Sequence, residues 1–169
     1  IEVILGPGGS LWGANAVNGV INVISKKSSE TKGGLMVQKV GDLFRNRSLF
    51  QFGGRLSDDA TYRIYGKYGV NHASDNEDGT SFGDGNSLNE LGFRTDVLLK
   101  NQSSLMLEGS TEQYRIVEDQ PIGLVNPPYA TTYTNTDLIQ TRHLLAKWTR
   151  GGDRGGQTSV QAYYDLIDY

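Results

Sequence analysis

Apolar and polar positions alternate with a period of two along most of this chain, which is the pattern of β-strands with one covered face. In 60–72 the even positions Tyr62, Ile64, Gly66, Tyr68 and Val70 are apolar, aromatic or small, while Arg63, Lys67 and Asn71 are polar. In 88–100, Leu91, Phe93, Val97 and Leu99 alternate with Glu90, Arg94, Asp96 and Lys100. In 157–169, Val160, Ala162, Tyr164 and Leu166 alternate with Ser159, Gln161 and Asp165. The pattern predicts strands at 34–41, 46–56, 60–72, 88–100, 103–116, 137–150 and 157–169, with 103–116 and 137–150 alternating less cleanly. No segment sustains an apolar period of 3.6, so no long helix is expected.

The connections sort by length. Ser57-Asp58-Asp59, Asn101-Gln102 and 151–156 read as tight turns, whereas 73–87 and 117–136 are long, with a short exception at 41–46. Most predicted strands exceed the roughly 5–6 residues usual in globular sheets and suffice for a tilted membrane span of about 9–11 residues. Short turns on one rim and long loops on the other are the asymmetry of a membrane barrel. On that reading Leu91, Phe93, Val97, Leu99, Val160, Ala162, Tyr164 and Leu166 face lipid, and Arg94, Asp96 and Gln161 face the lumen. Trp148, beside the turn at 151–156, suits an aromatic girdle.

Residues 1–26 follow a different pattern. The β-forming run 1–5 is apolar except for Glu2, and Gly6-Pro7-Gly8-Gly9 ends it. Gly13 and Ala14 allow close backbone approach beside Trp12; Asn18-Gly19 is a turn pair, and 20–24 is a second β run. By residue type alone this is a buried two-strand unit with a glycine-rich turn. It is no phosphate loop, because neither G-x-G-x-x-G nor Gly-Lys-Ser/Thr is present.

The order of residues carries more than their types. I-E-V-I-L-G-P, then Leu11, Trp12, Gly13 and Ala16, then Gly19-Val20-Ile21-Asn22 and Ser25-Lys26 resemble the closing segment of the plug in TonB-dependent outer-membrane receptors. The resemblance implies that residues 1–27 are the end of a plug domain, 28–33 a flexible polar linker, and 34–169 the first strands of a large plugged antiparallel barrel. Gly6, Pro7, Leu11, Trp12, Gly13, Ala16, Gly19, Val20, Ile21 and Asn22 would hold the plug folded and seated. It further implies an outer-membrane location, energised uptake of a scarce nutrient such as a siderophore, cobalamin or sugar, and partnership with the TonB complex through a preceding segment. Residues 1–26 are then expected inside the barrel, apart from its wall. Polar residues such as Arg63, Lys67, Arg94 and Asp96 would line the plug–wall interface. Leu5 stands where the family carries an arginine before Gly-Pro, so that arginine's ion pair with the wall is not expected here.

Composition agrees with a turn-rich β protein: 22 glycines, 9 tyrosines, 4 prolines and no cysteine. Lack of cysteine removes disulfides and thiol chemistry. A net charge of −3 argues against nucleic acid as a partner. No run approaches the ~18 apolar residues of a membrane helix, which leaves strand-built barrels open. The chain opens inside a motif, so no signal peptide is read and an excerpt of a longer protein is expected.

Little enzymatic chemistry is legible. Asp75-Asn76-Glu77-Asp78-Gly79 lacks the spacing and closing glutamate of a calcium loop. His72 and His143 lie on different strands, and no G-x-S-x-G occurs. No catalysis, metal or cofactor is expected. Candidate ligand contacts are Asp75 and Glu77 in one long loop, and Tyr129 and Tyr133 in the proline-stiffened loop from Glu118 to Asp137. Two other readings remain at this stage: a soluble antiparallel binding domain, and a small non-transporting membrane barrel.

Overall fold

In a computed structural model, residues 1–6, 18–42, 44–151 and 156–169 are described. Plug-motif positions Pro7, Leu11, Trp12, Gly13 and Ala16, and most of the expected turn at 151–156, lie outside them. The described chain is all-β apart from one 3-10 turn. Strands β1 (Glu2–Leu5) and β2 (Gly19–Asn22) pair with each other. Strands β3 (Gly33–Lys39), β4 (Phe44–Ser57), β5 (Ala60–Asn71), β6 (Asn86–Leu99), β7 (Ser103–Gly123), β8 (Ala130–Gly151) and β9 (Gln157–Asp168) form one antiparallel meander in sequence order. The meander is an open sheet with β3 and β9 at its edges.

Paired residues of an antiparallel ladder point to the same face, so the register fixes both faces. One face carries the row Phe52–Ile64–Phe93–Gly109–Leu144–Tyr164 and, next to it, Met36–Phe50–Gly66–Leu91–Thr111–Arg142–Leu166. Toward the short-turn rim follow Tyr62–Thr95–Leu107–Ala146–Ala162 and Ala60–Val97–Leu105–Trp148–Val160. The opposite face carries Gly53–Arg63–Arg94–Glu108–Leu145–Tyr163 and Thr61–Asp96–Met106–Lys147–Gln161. All eight residues expected to face lipid therefore share one face, and Arg94, Asp96 and Gln161 share the other. Trp148 lies on the apolar face near the short turns, as a girdle residue would.

The short-turn rim is built from local chemistry. Ser57 pairs with Ala60 across Asp58-Asp59, and the β6–β7 turn holds Asn101 and Gln102 at φ +57 and +54. Asparagine tolerates that left-handed region better than glutamine does.

Two expectations are corrected. The expected long loop at 117–136 is largely strand: β7 runs to Gly123, β8 starts at Ala130, and Gln120 pairs with Tyr133. Alternation failed to reveal it because polar residues occupy both faces there. β6 ends opposite Ile116, so β7 has a free edge above it, where Pro121 is tolerated. The supposedly flexible linker also folds. Ser28–Glu30 form the 3-10 turn, and Ser28 is wholly buried. Its polar side chains find partners on the sheet, which a sequence of polar residues does not reveal.

Candidate functional site

Among the described residues, the most extensively hydrogen-bonded site is the seat of residues 25–31 on the polar face of β4–β7. The Ser28 N–H and hydroxyl both donate to Asp96 Oδ2 at 2.7 Å, and the Ser28 and Thr61 hydroxyls are 2.7 Å apart. Arg94 grips Asp96 through two parallel bonds of 2.9 Å. Such bidentate pairs fix geometry as well as charge. The Arg94 Nη1 donates to the Ser25 carbonyl at 3.3 Å and reaches Glu108 at 3.5 Å. Arg63 Nη1 donates to the Lys26 carbonyl at 3.0 Å. Both arginines are only 9% exposed, so their charges are held away from solvent by the segment they bind.

Backbone geometry completes the seat. The Glu30 carboxylate accepts the Lys27 N–H at 3.1 Å, and Thr31 N–H donates to the Ser28 carbonyl at 3.2 Å. The chain then crosses Gly53 on β4 so closely that a Cβ there would lie 2.3 Å from the Thr31 carbonyl oxygen. Only glycine leaves that room. At Gly33, φ is +91, and the chain turns from the seat into β3, whose first residue pairs with Gly53. Arg63, Arg94 and Asp96 were legible as members of a polar face. Ser28, Thr61 and Glu108 were not, because partners 14, 33 and 68 residues apart leave no local pattern. Lys67 shares the face but pairs with Glu90 at 2.7 Å, away from the seat.

Farther along the polar face, toward the long-loop rim, a pocket of about 470 Å³ is lined by Lys39, Arg47, Lys67, Asn71 and Tyr114, among others. Among the described residues, no three His, Cys, Asp or Glu side chains converge as for a metal.

The β1–β2 pair places the described motif residues. Gly6 N–H donates to the Asn18 carbonyl at 3.3 Å with φ +99. Gly19 pairs with Leu5, Val20 with Ile4, and Ile21 with Val3. Asn22 donates to the Glu2 carboxylate at 2.9 Å. β2 pairs with β1, not with β3. Its Ile21 and the following Val23 and Ile24 are exposed.

The ligand candidates separate into two rim elements. Asp75 bridges Ser81, and Glu77 is exposed. Asp78 and Asp84 sit below the usual carboxylate range, Asp78 chiefly through the Thr80 hydroxyl and Asp84 chiefly through the Ser74 N–H. Tyr129 closes the β7–β8 tip at φ +62, with its N–H on the Asn126 carbonyl at 2.9 Å. Tyr133 is exposed on β8. The two elements meet lower down, where Val117 N–H donates to the Gly85 carbonyl at 2.9 Å and Gly83 abuts Asp119. Among the described residues, no hydrogen bond or ion pair joins Asp75 or Glu77 to Tyr129 or Tyr133.

No family model and no solved structure matches the chain. Three curated proteins do. The ferric enterobactin receptor of Pseudomonas aeruginosa is 33% identical over 58% of this chain and 13% of its own length. The iron-regulated outer membrane virulence protein of Vibrio cholerae is 28% identical over 98% of this chain and 26% of its own length. The probable TonB-dependent siderophore receptor of Acinetobacter baumannii is 31% identical over 70% of this chain and 16% of its own length. The chain thus spans about a quarter or less of the relatives it matches.

Proposed function

We propose, taking as premise that this chain is similar to TonB-dependent outer-membrane receptors and shares their outer-membrane location, that it forms the plug end and first wall strands of one that imports an iron chelate. In this reading residues 1–27 close the plug, 28–33 pass from plug to wall, and 34–169 begin the barrel. Gly6, Pro7, Leu11, Trp12, Gly13, Ala16, Gly19, Val20, Ile21 and Asn22 keep the plug end folded. The seat of 25–31 on Arg63, Arg94 and Asp96 is the observation that carries the reading. A plug tethered inside a wall needs its last residues fixed to the lumenal face, and the bonding of 25–28 to the sheet's polar face supports that reading.

The relatives' names and the polar face support this substrate class. Two of the three names are those of siderophore or ferric-siderophore receptors. The pocket lined by Lys39, Arg47 and Lys67 with Tyr114 suits an anionic ferric chelate. Rim residues Tyr129, Tyr133, Asp75 and Glu77 are the first contacts proposed. None of the relatives' names is that of an enzyme, and transport here is driven by the TonB complex pulling on the plug, with the seat as the point where that pull stops. No nucleic acid and no cofactor takes part.

The test is uptake of radioiron as ferric enterobactin and related chelates by cells whose sole such receptor is the full-length protein. The expected result is uptake that disappears when TonB is deleted. An assembled receptor that takes up no ferric chelate, or does so equally without TonB, overturns the reading.

A further inference from the structure

One aromatic ring on the polar face stands between the seat and the pocket. Tyr65 lies on β5 midway between Arg63 and Lys67, so all three side chains project to the same side of the sheet. The Arg63 guanidinium carbon is 5.9 Å from the Tyr65 ring centroid, and the Lys67 ammonium is 5.3 Å from it. Both cations are within range of attraction by the ring's negative face. Across the ladder Tyr65 pairs with Gly92, and a Cβ at that glycine would collide with the ring. The ring therefore rests on bare backbone, in room that any side chain at 92 would take.

The two cations differ in freedom. Arg63 is buried and donates to the Lys26 carbonyl at 3.0 Å, so it is a fixed post for the ring. Lys67 ends a long flexible stem, and its side chain is 47% exposed. Its ammonium bonds Glu90 at 2.7 Å, yet the Glu90 side chain is only 14% exposed. The cation is thus the outward member of the pair, and Lys67 lines the pocket where Glu90 does not. Glu112 pairs in register with Glu90 and sets a second carboxylate beside it. A Lys67 released from the ring would be drawn toward these carboxylates and neutralised by them. Tyr65 itself is not among the residues that line the pocket.

An aromatic ring attracts a cation without carrying a net charge of its own. It can hold an ammonium in place and leave that charge available to an anion, which a carboxylate cannot do. We infer that Tyr65 is a positioning residue for the anionic chelate: its ring, fixed by Arg63 and Gly92, holds the Lys67 ammonium at the edge of the pocket against the pull of Glu90 and Glu112. The gain is pre-organisation, since a lysine already held in place loses less side-chain freedom when the ligand binds. The inference rests on the reading of the pocket as a ferric-chelate site.

The experiment measures equilibrium binding of radioiron-labelled ferric enterobactin to the full-length receptor, with assembly read on the same samples by heat-modifiable mobility on gels. Tyr65→Leu should bind about three-fold more weakly, which is the worth of one exposed cation–π contact. Tyr65→Phe keeps the ring and should bind as the wild type does. Lys67→Met should itself weaken binding, and in that background Tyr65→Leu should change nothing further, because the tyrosine acts through the lysine. Gly92→Ala displaces the ring while the tyrosine stays in the chain. It should weaken binding as Tyr65→Leu does, and it decides the matter if Tyr65→Leu does not assemble. Unchanged affinity in an assembled Tyr65→Leu or Gly92→Ala receptor overturns the inference. So does a loss with Tyr65→Phe equal to that with Tyr65→Leu, or an undiminished effect of Tyr65→Leu in the Lys67→Met background. If the wild type binds the chelate and one of these results is found, only the role of Tyr65 falls. If the assembled wild type does not bind it, the chelate-site reading falls and the inference with it.

Discussion

The two faces of the same seven strands obey opposite rules. On one, Leu144, Phe93 and Tyr164 sit in apolar rows and are all more than a third exposed. On the other, one residue along, Leu145, Arg94 and Tyr163 share a row with Arg63 and Glu108, beside the row of Asp96 and Lys147. A soluble sheet hides its apolar face and wets its polar one. Here the polar face is the occupied one, since the segment 25–31 buries Arg63 and Arg94, while the apolar face has no covering element among the described residues. That inversion is what a barrel wall requires, with lipid as the outer solvent and plug as the inner filling.

Adjacent positions can break this comparison most forcefully. Leu144→Arg places a charge in the apolar band and should cost about 2–4 kcal/mol, enough to block assembly of the full-length protein, read as loss of the heat-modifiable band on gels. Leu145→Arg, one residue on but facing Glu108, should assemble. Equal failure of both would mean that the faces do not differ.

The seat supplies the next largest effects. Asp96→Ala leaves Arg94 poorly paired and removes both Ser28 bonds, a loss of about 2–3 kcal/mol for charge-assisted bonds in a partly buried setting. Hydrogen exchange should rise at 25–31 with little change in β7–β9. Gly53→Ala should loosen the same residues by another route, because its methyl group collides with the Thr31 carbonyl. Ser28→Ala should do less, about 1–2 kcal/mol. A global loss of sheet protection in any of the three would show that the seat is part of the wall's own stability and not a local tether.

Outside both faces, the rim loop gives a smaller, pH-dependent effect. Asp78 and Asp84 have lowered pKa values in the ordered loop. The order they lend is therefore complete above the ordinary carboxylate range, about pH 4, and is lost as pH falls through the lowered values. NMR of the amides of Ser74 and Thr80 should show them leaving their bonded shifts only below about pH 4. A change centred near neutrality would assign the loop's order to other groups.

Legibility of the fold in the sequence followed the solvent. Where one face is apolar and the other polar, as in 88–100 and 157–169, period-two alternation was enough to place each side chain on its observed face. Toward the β7–β8 tip polar residues occupy both faces. The pairing of Glu118 with Asn135 and Asp119 with Thr134 therefore carries no alternation, and that part of the hairpin read as loop. The seat divides in the same way. Arg94 and Asp96 stood out as charges within an alternating strand, whereas Ser28 is one polar residue among several in 27–33 and gains its meaning only from Asp96.

The central claim, that the outward face meets lipid and the inward face meets the plug segment, is tested most directly by spin-label accessibility. The chain has no cysteine, so single cysteines in the assembled full-length protein can be introduced at 93, 144 and 164 and, for the inner face, at 110, 145 and 163. The account predicts that labels at 93, 144 and 164 relax with oxygen dissolved in lipid and that labels at 110, 145 and 163 do not. Equal oxygen accessibility at the two sets, or the reverse order, would contradict it.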